Sequence, residues 1–413
     1  MAFCVQCGNQ ISDSAKFCPK CGAARTAPAA SPAPVTDEAP VERPAPDAAA
    51  APPQPPPAPA KKKRTLRNVL IAAAAAGVVV AAVLIIGKMN TKAKADSWFK
   101  RGYEHYDKKE YDQAISALNV ALRFNPNLAG ALAYRGGSYR YKGNNDQAIA
   151  DCTEALRISP IANFALFHRG YAYFNKGDFD RAIADFNEGI SLSFNYAPVY
   201  VGRGEAYSGK GQYDAAINDF TEAIRLNPND ASAYANRGDA YRIKGQYNDA
   251  ITDLDAAIRL DQNDGWAYTH RGEAYRMKDQ LDAAIKDFDA AIRLVPHFPI
   301  PYARRGDAYS MKGQYDAAIR DFDAAIRLDQ NYAWAYAHRG ESYRMKGQYD
   351  DAIKDCTDAI RLDPNYAYAY ASRGVAYNQK GQKNQAVADL EKAISLDPNY
   401  TWAKNRLREI RGY

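Results

Sequence analysis

Residues 231–264 read "ASAYANRGDAYRIKGQYNDAITDLDAAIRLDQND". The first half spaces small and aromatic residues as a helix does and stops at "KGQY", where Gly and its polar neighbours signal a turn. The second half, "NDAITDLDAAIRL", sets apolar residues three and four apart and predicts an amphipathic helix. The same 34-residue pattern recurs nine times without insertion, from Ala95 to Tyr400. Its eighth position is always Gly, from Gly102 to Gly374, and its twentieth always Ala, from Ala114 to Ala386. Its eleventh is Tyr in eight units and His105 in the first. Small residues at eight and twenty let the two helices of a pair approach closely, and aromatic residues fill the space between pairs. One pair cannot hide its apolar face alone, so the units must stack into a solenoid. Residues 401–413, "TWAKNRLREIRGY", supply a polar closing helix.

Gly at eight, Tyr at eleven, Ala at twenty and twenty-seven, and a Pro closing many units resemble the tetratricopeptide repeat (TPR) over 95–400. The resemblance implies an all-α fold, a right-handed TPR superhelix of nine helix-turn-helix repeats. It also implies that ligands lie in a concave groove lined by positions two, five, nine, twelve and thirteen of each first helix. Carried onto this chain, position two gives Trp266 and Trp334, and position nine gives Glu205, Asp239, Glu273, Asp307 and Glu341. Position twelve gives Arg276 and Arg344, and position thirteen gives Met277, Met311 and Met345. Aromatic anchors and adaptable Met beside spaced carboxylates suit an extended peptide of basic or amide-rich character. Family members that grip acidic tails use Lys at five and Asn at nine. Here five is Ala, Phe, Val or Thr and nine is mostly acidic, which disfavours that ligand.

One departure from the family pattern is systematic. Position seven is Arg in all nine units, from Arg101 to Arg373, and position twenty-three is Asp in eight, from Asp151 to Asp389. These positions face each other across the helix pair, so Arg–Asp pairs such as Arg237 with Asp253 are expected, as architecture rather than chemistry.

Nothing in the array points to catalysis. His168, His270 and His338 share position six but lie in separated units, and Cys152 and Cys356 sit at position twenty-four, where other units use Phe or Leu. No phosphate-cradling Gly loop, nucleophile elbow or metal-spaced His cluster occurs, and the chain is not expected to be an enzyme. The net charge of +6 belongs to the N-terminal quarter: residues 1–94 carry 12 Lys+Arg against 5 Asp+Glu, and residues 95–413 carry 42 against 43. No nucleic acid is expected as a partner.

The N-terminal quarter has its own organisation. Cys4, Cys7, Cys18 and Cys21 form C-x2-C-x10-C-x2-C, each pair spaced to present two thiolates to one tetrahedral ion. Four thiolates leave no open position, so the implied Zn2+ is structural. Residues 1–24 resemble the zinc-ribbon module. An Ala/Pro-rich linker over 25–67, ending in the basic run "KKKRTLR", has too little apolar bulk to order itself. Residues 68–87, "NVLIAAAAAGVVVAAVLIIG", carry no charge and predict one transmembrane helix. Zinc-held thiolates suit a reducing compartment, and five basic residues precede the span against three after it. Both place the ribbon in the cytoplasm and the repeats in the periplasm of a single-pass inner-membrane protein. The expected function is a membrane-anchored scaffold binding a partner protein or extended peptide in the groove. The alternatives are a transmembrane sensor coupling the groove to the ribbon and an adaptor of inverted topology.

Overall fold

The computed structural model describes residues 2–3, 10–11, 91–192 and 195–412. Nineteen helices fill the two long stretches. The first unit holds α1 (91–107) and α2 (Tyr111–Phe124), and the second α3 (Ala129–Tyr141) and α4 (Asn145–Ile158). Then come α5 (Asn163–Asn175) with α6 (Phe179–Ser191), α7 (Ala197–Gly209) with α8 (Tyr213–Leu226), and α9 (Ala231–Ile243) with α10 (Tyr247–Leu260). The last units pair α11 (Gly265–Met277) with α12 (Leu281–Leu294), α13 (Pro299–Met311) with α14 (Tyr315–Leu328), and α15 (Ala333–Met345) with α16 (Tyr349–Leu362). The pair α17 (Ala367–Gln379) and α18 (Lys383–Leu396) completes the array, and α19 (Thr401–Arg411) closes it.

Close approach inside each pair depends on position eight. A Cβ on Gly204 would lie 2.6 Å from Phe220 Cε1, and one on Gly238 2.8 Å from Leu254 Cγ. Position twenty-four therefore packs onto bare backbone, and Cys152 and Cys356 fill the same slot, fully buried. Burial pushes both thiols far above their usual range, so they are inert. The turn between helices needs a left-handed residue. Gly143, Gly177, Gly211, Gly245, Gly313, Gly347 and Gly381 supply it, and Lys109 and Asp279 adopt it at φ of 62° and 59°.

First helices touch the first helices of neighbouring units, as α3 does α5 and α15 does α17, whereas among the described residues no second helix touches the next second helix. The stack is therefore tighter along its first helices, which line the inner side of the curve.

The expected Arg–Asp pairs are present and bidentate. Arg237 donates from Nε and Nη2 to Asp253 at 2.7 and 2.8 Å, and seven further pairs from Arg135–Asp151 to Arg373–Asp389 repeat the geometry. Each Arg keeps a third donor for the preceding unit: Arg237 Nη1 reaches Thr221 at 3.0 Å, and Arg271 Nη1 reaches Asp255 at 2.5 Å. One side chain thus ties its own pair and clamps the neighbour. A second ladder joins Lys142, Lys176 and Lys210 to Asp112, Asp146 and Asp180 of the unit before.

The expected transmembrane helix, and the inner-membrane placement built on it, are corrected. Among the described residues no helix is long and apolar enough to cross a membrane. Helices of 14 residues reach about 21 Å, short of a hydrocarbon core of roughly 30 Å, and every second helix carries charge along one face. The stretch 68–87 lies outside the described residues, as does the linker 25–67. Membrane attachment, periplasmic placement of the array and the topology alternatives therefore have no support in this structure.

Near the N-terminus, β1 (Ala2–Phe3) pairs antiparallel with β2 (Gln10–Ile11), in register Ala2↔Ile11 and Phe3↔Gln10. The stretch that joins them contains Cys4 and Cys7. The connection between the two strands therefore contains the first cysteine pair in sequence.

Candidate functional site

The inner face has two chemically distinct stretches. From α9 to α15 it is ionic. Arg242 Nε donates to Asp239 Oδ1 at 2.8 Å, and His270 Nδ1 of the next unit lies 3.0 Å from the same oxygen. Glu273 accepts from Arg276 Nη2 at 3.0 Å and is paired with Arg304 of the next unit. Arg276 also reaches Asp307 Oδ2 at 3.1 Å, and Arg344 closes on Glu341 at 2.6 Å. Four carboxylates and four guanidiniums thus neutralise one another within the groove wall. Burial works against the charged form of Asp239, but Arg242 and His270 hold it well below the usual carboxylate range. Burial likewise opposes ionised Glu273, yet Arg304, Arg276 and Arg242 bring it down to about 2. Burial lowers His338 to about 4, so its ring is neutral.

The acids expected to face a basic ligand are therefore already occupied by the chain's own arginines. Glu205 is different. It accepts from Asn236 Nδ2 at 3.2 Å, position twelve of its unit is Ser208, and no cation pairs with it among the described residues. Burial lifts its carboxyl to about 7, and Asn236, Tyr171 and, from beyond ion-pair distance, Arg140 only partly oppose the rise.

Trp266 and Trp334 stand between units. Trp266 lies 3.9 Å from the His270 ring, and Trp334 stacks on His338 at 3.8 Å while Arg304 covers it at 4.6 Å. They are walls of the groove more than free anchors. Met277, Met311 and Met345 are about half exposed, at 49, 49 and 48%, in register on three consecutive first helices. Arg276 lies beside two of them, 3.4 Å from Met277 Sδ and 3.8 Å from Met311 Sδ. The groove ends in a cleft of about 450 Å³ lined by Arg344, Tyr368, Trp402 and Arg406.

From α1 to α5 the same face is aromatic. Tyr106 and Tyr134 meet edge-to-face at 5.1 Å, Tyr134 and Phe164 lie 5.5 Å apart, and Tyr111 stacks on Tyr141 at 4.8 Å. His168 is buried, its Nε2 3.0 Å from the Tyr106 hydroxyl, and burial with Arg140 nearby keeps the ring neutral. Reading along the sequence missed this cluster. Its members occupy positions two, six, twelve, thirteen and seventeen, so only overlaying the units brings them together.

Among the described residues no group of His, Cys, Asp and Glu is arranged to hold a metal ion. Cys4, Cys7, Cys18 and Cys21 fall outside those residues.

Comparison with known families agrees with the architecture. A zinc-ribbon domain profile matches residues 3–24, and tetratricopeptide-repeat profiles match 95–128, 135–193, 209–241, 238–279, 306–347, 333–366 and 367–400. Among curated proteins none matches. Among solved structures, a chain of the APC/C hetero-tetramer Cut9-Hcn1 is similar at 18% identity and a TM-score of 0.53, over 72% of this chain and 59% of that one. This chain therefore spans about three fifths of that relative's length, and the likeness is one of fold. A tetratricopeptide repeat protein from Parabacteroides merdae is 20% identical over 60% of this chain and 99% of its own, with a TM-score of 0.49. YrrB, described as a TPR protein with an unusual peptide-binding site, is 26% identical over 45% of this chain and 96% of its own, with a TM-score of 0.38. Matched over more than half of its length by profiles of one repeat, the chain belongs to the tetratricopeptide-repeat family and carries a zinc-ribbon domain at its N-terminus.

Proposed function

We propose that the chain is a protein-interaction scaffold that holds an extended segment of a partner protein along the inner face of its first helices. The observation that carries this reading is the in-register row of half-exposed Met277, Met311 and Met345 on a wall whose charges are satisfied. Exposed thioethers on rigid helices adapt to varied apolar side chains. The guanidiniums of Arg276 and Arg344 beside them are held by Glu273, Asp307 and Glu341 and fix the wall that carries the row. With Asp239, Glu273, Asp307 and Glu341 engaged internally, recognition in this stretch rests on apolar contact, not on capture of a basic peptide. A photo-crosslinking residue replacing Met311 should trap a partner segment that mass spectrometry can identify. The same residue at Arg320, on second helix α14, should not. Equal trapping from both positions would overturn the assignment of the inner face.

For the N-terminal domain, we infer that Cys4, Cys7, Cys18 and Cys21 hold one structural zinc. The hairpin register supports this, because it places the first cysteine pair in the connection between two short strands. So small a unit draws its folding energy from the metal. The full chain should carry one equivalent of zinc, and Cys18→Ser should release it.

A further inference from the structure

Three units break the ion-pair rule of the inner face: unit two lacks the acid, and units four and seven lack the Arg. In units five, six and eight the Arg at position twelve closes on an acid three residues earlier. In unit two the Arg is Arg140, but the acid's place is taken by Gly137. A Cβ there would lie 2.7 Å from His168 Nε2, so the space belongs to the buried ring. Arg140 lies over Tyr141 at 3.9 Å, Tyr171 at 5.0 Å and Phe167 at 5.8 Å, and its buried Nε has no acceptor among the described residues. Ring faces attract the cation but do not satisfy its N–H donors. Units four and seven are the converse; Asp307 of unit seven is reached by Arg276 of the unit before, whereas Glu205 of unit four has no ion-pair partner among the described residues. Tyr171 links the two sites: its ring lies beneath Arg140, and its hydroxyl sits beside Glu205 and donates to the Pro198 carbonyl at 3.3 Å.

Building on the groove reading above, we propose that units two to four bind a partner segment carrying one acidic and one basic side chain, the carboxylate on Arg140 and the cation on Glu205. On an extended segment, side chains two residues apart lie on one side, about 7 Å from each other. That suits two charges set at opposite ends of one tyrosine. The partner supplies what the repeat rule leaves out: an acid for a guanidinium without one and a cation for a carboxyl without one. Each half of the contact desolvates a charge already held by the wall, so mismatched partners lose more than they gain.

The test uses the full chain and labelled hexapeptides, acetylated and amidated, with one Glu and one Lys separated by a single residue, in both orders. Fluorescence anisotropy should show binding by one order. Replacing the probe's Glu by Gln or its Lys by norleucine should weaken it on the order of tenfold or more. Arg140→Met and Glu205→Gln should each do the same, and Arg140→Lys should retain part of the affinity. Circular dichroism guards against misfolding. If neither order binds better than an uncharged hexapeptide, or if correctly folded Arg140→Met and Glu205→Gln bind as the parent does, the assignment is overturned. Trapping at Met311 that persists through such a failure would leave the broader groove reading standing. Loss of both would remove both.

Discussion

Units two and three line the groove with rings, whereas units five to eight line it with ion pairs, on first helices of the same length and register. The scaffold beneath does not change: the Arg–Asp clamp at positions seven and twenty-three runs through both. Architecture in this array is thus carried by positions that repeat, and surface chemistry by positions that vary. The ionic stretch is electrostatically closed, each buried charge answered by a neighbour. The aromatic stretch and its border leave Arg140 and Glu205 without an ion-pair partner among the described residues, each feeling the other only across Tyr171. The wall closest to charge balance is where the Met row offers apolar contact, and the wall with unanswered charges is where specificity for a charged partner can arise.

The largest expected difference between the stretches is in stability. Glu273→Leu strands Arg304 in a buried wall and should cost about 3–5 kcal/mol. Tyr106→Phe removes one hydroxyl from His168 and should cost about 1–2 kcal/mol. Guanidinium unfolding of the full chain compares them, and equal costs would erase the distinction.

Acidification should separate them next, with opposite signs. Glu273 has its folded pKa at about 2, below the ordinary 4.5, so its contribution is complete above pH 4.5 and is lost as pH falls toward 2. The loss is on the order of 2–3 kcal/mol. Glu205 has its folded pKa at about 7, so the folded state holds a proton that the unfolded state has released. Its contribution therefore falls as pH rises from 4.5 through 7. Glu205→Gln should flatten the thermal midpoint across that window, and Glu273→Gln should flatten it below pH 4.5. A shared sign would contradict the contrast.

The smallest effect concerns the turns. Asp279 holds φ of 59° where most units use Gly, so Asp279→Gly should stabilise its unit by about 1 kcal/mol or less. Hydrogen exchange in α11 and α12 would read it locally. No change, or faster exchange, would show that the left-handed turn costs Asp nothing here.

The fold was legible because its determinants recur at a fixed period. Gly at eight and Arg at seven with Asp at twenty-three stand out against nine copies, and their partners follow from facing positions. The clamp's third arm, to Asn119, Thr153 or Asp255 of the preceding unit, was hidden because position twenty-five changes residue type from unit to unit. The sequence reading assigned no partners to Asp239, Glu273, Asp307 and Glu341, which the structure pairs with arginines. Arg242, Arg276 and Arg344 each follow an acid by three residues on one helix, a spacing at which side chains meet. That signal was in the sequence. The contributions of His270 and Arg304 were not, because they come from the next unit along. The membrane helix shows the opposite limit: an apolar run suggests a span, and nothing among the described helices supplies one.

The contrast between a closed and an open wall is tested most directly by carbon-13 carboxyl NMR of the full chain labelled at glutamate, with Glu205→Gln and Glu273→Gln assigning the two resonances. The account predicts that Glu205 titrates near pH 7 and that Glu273 stays ionised down to about pH 2. Both carboxyls titrating together near pH 4.5 would contradict it.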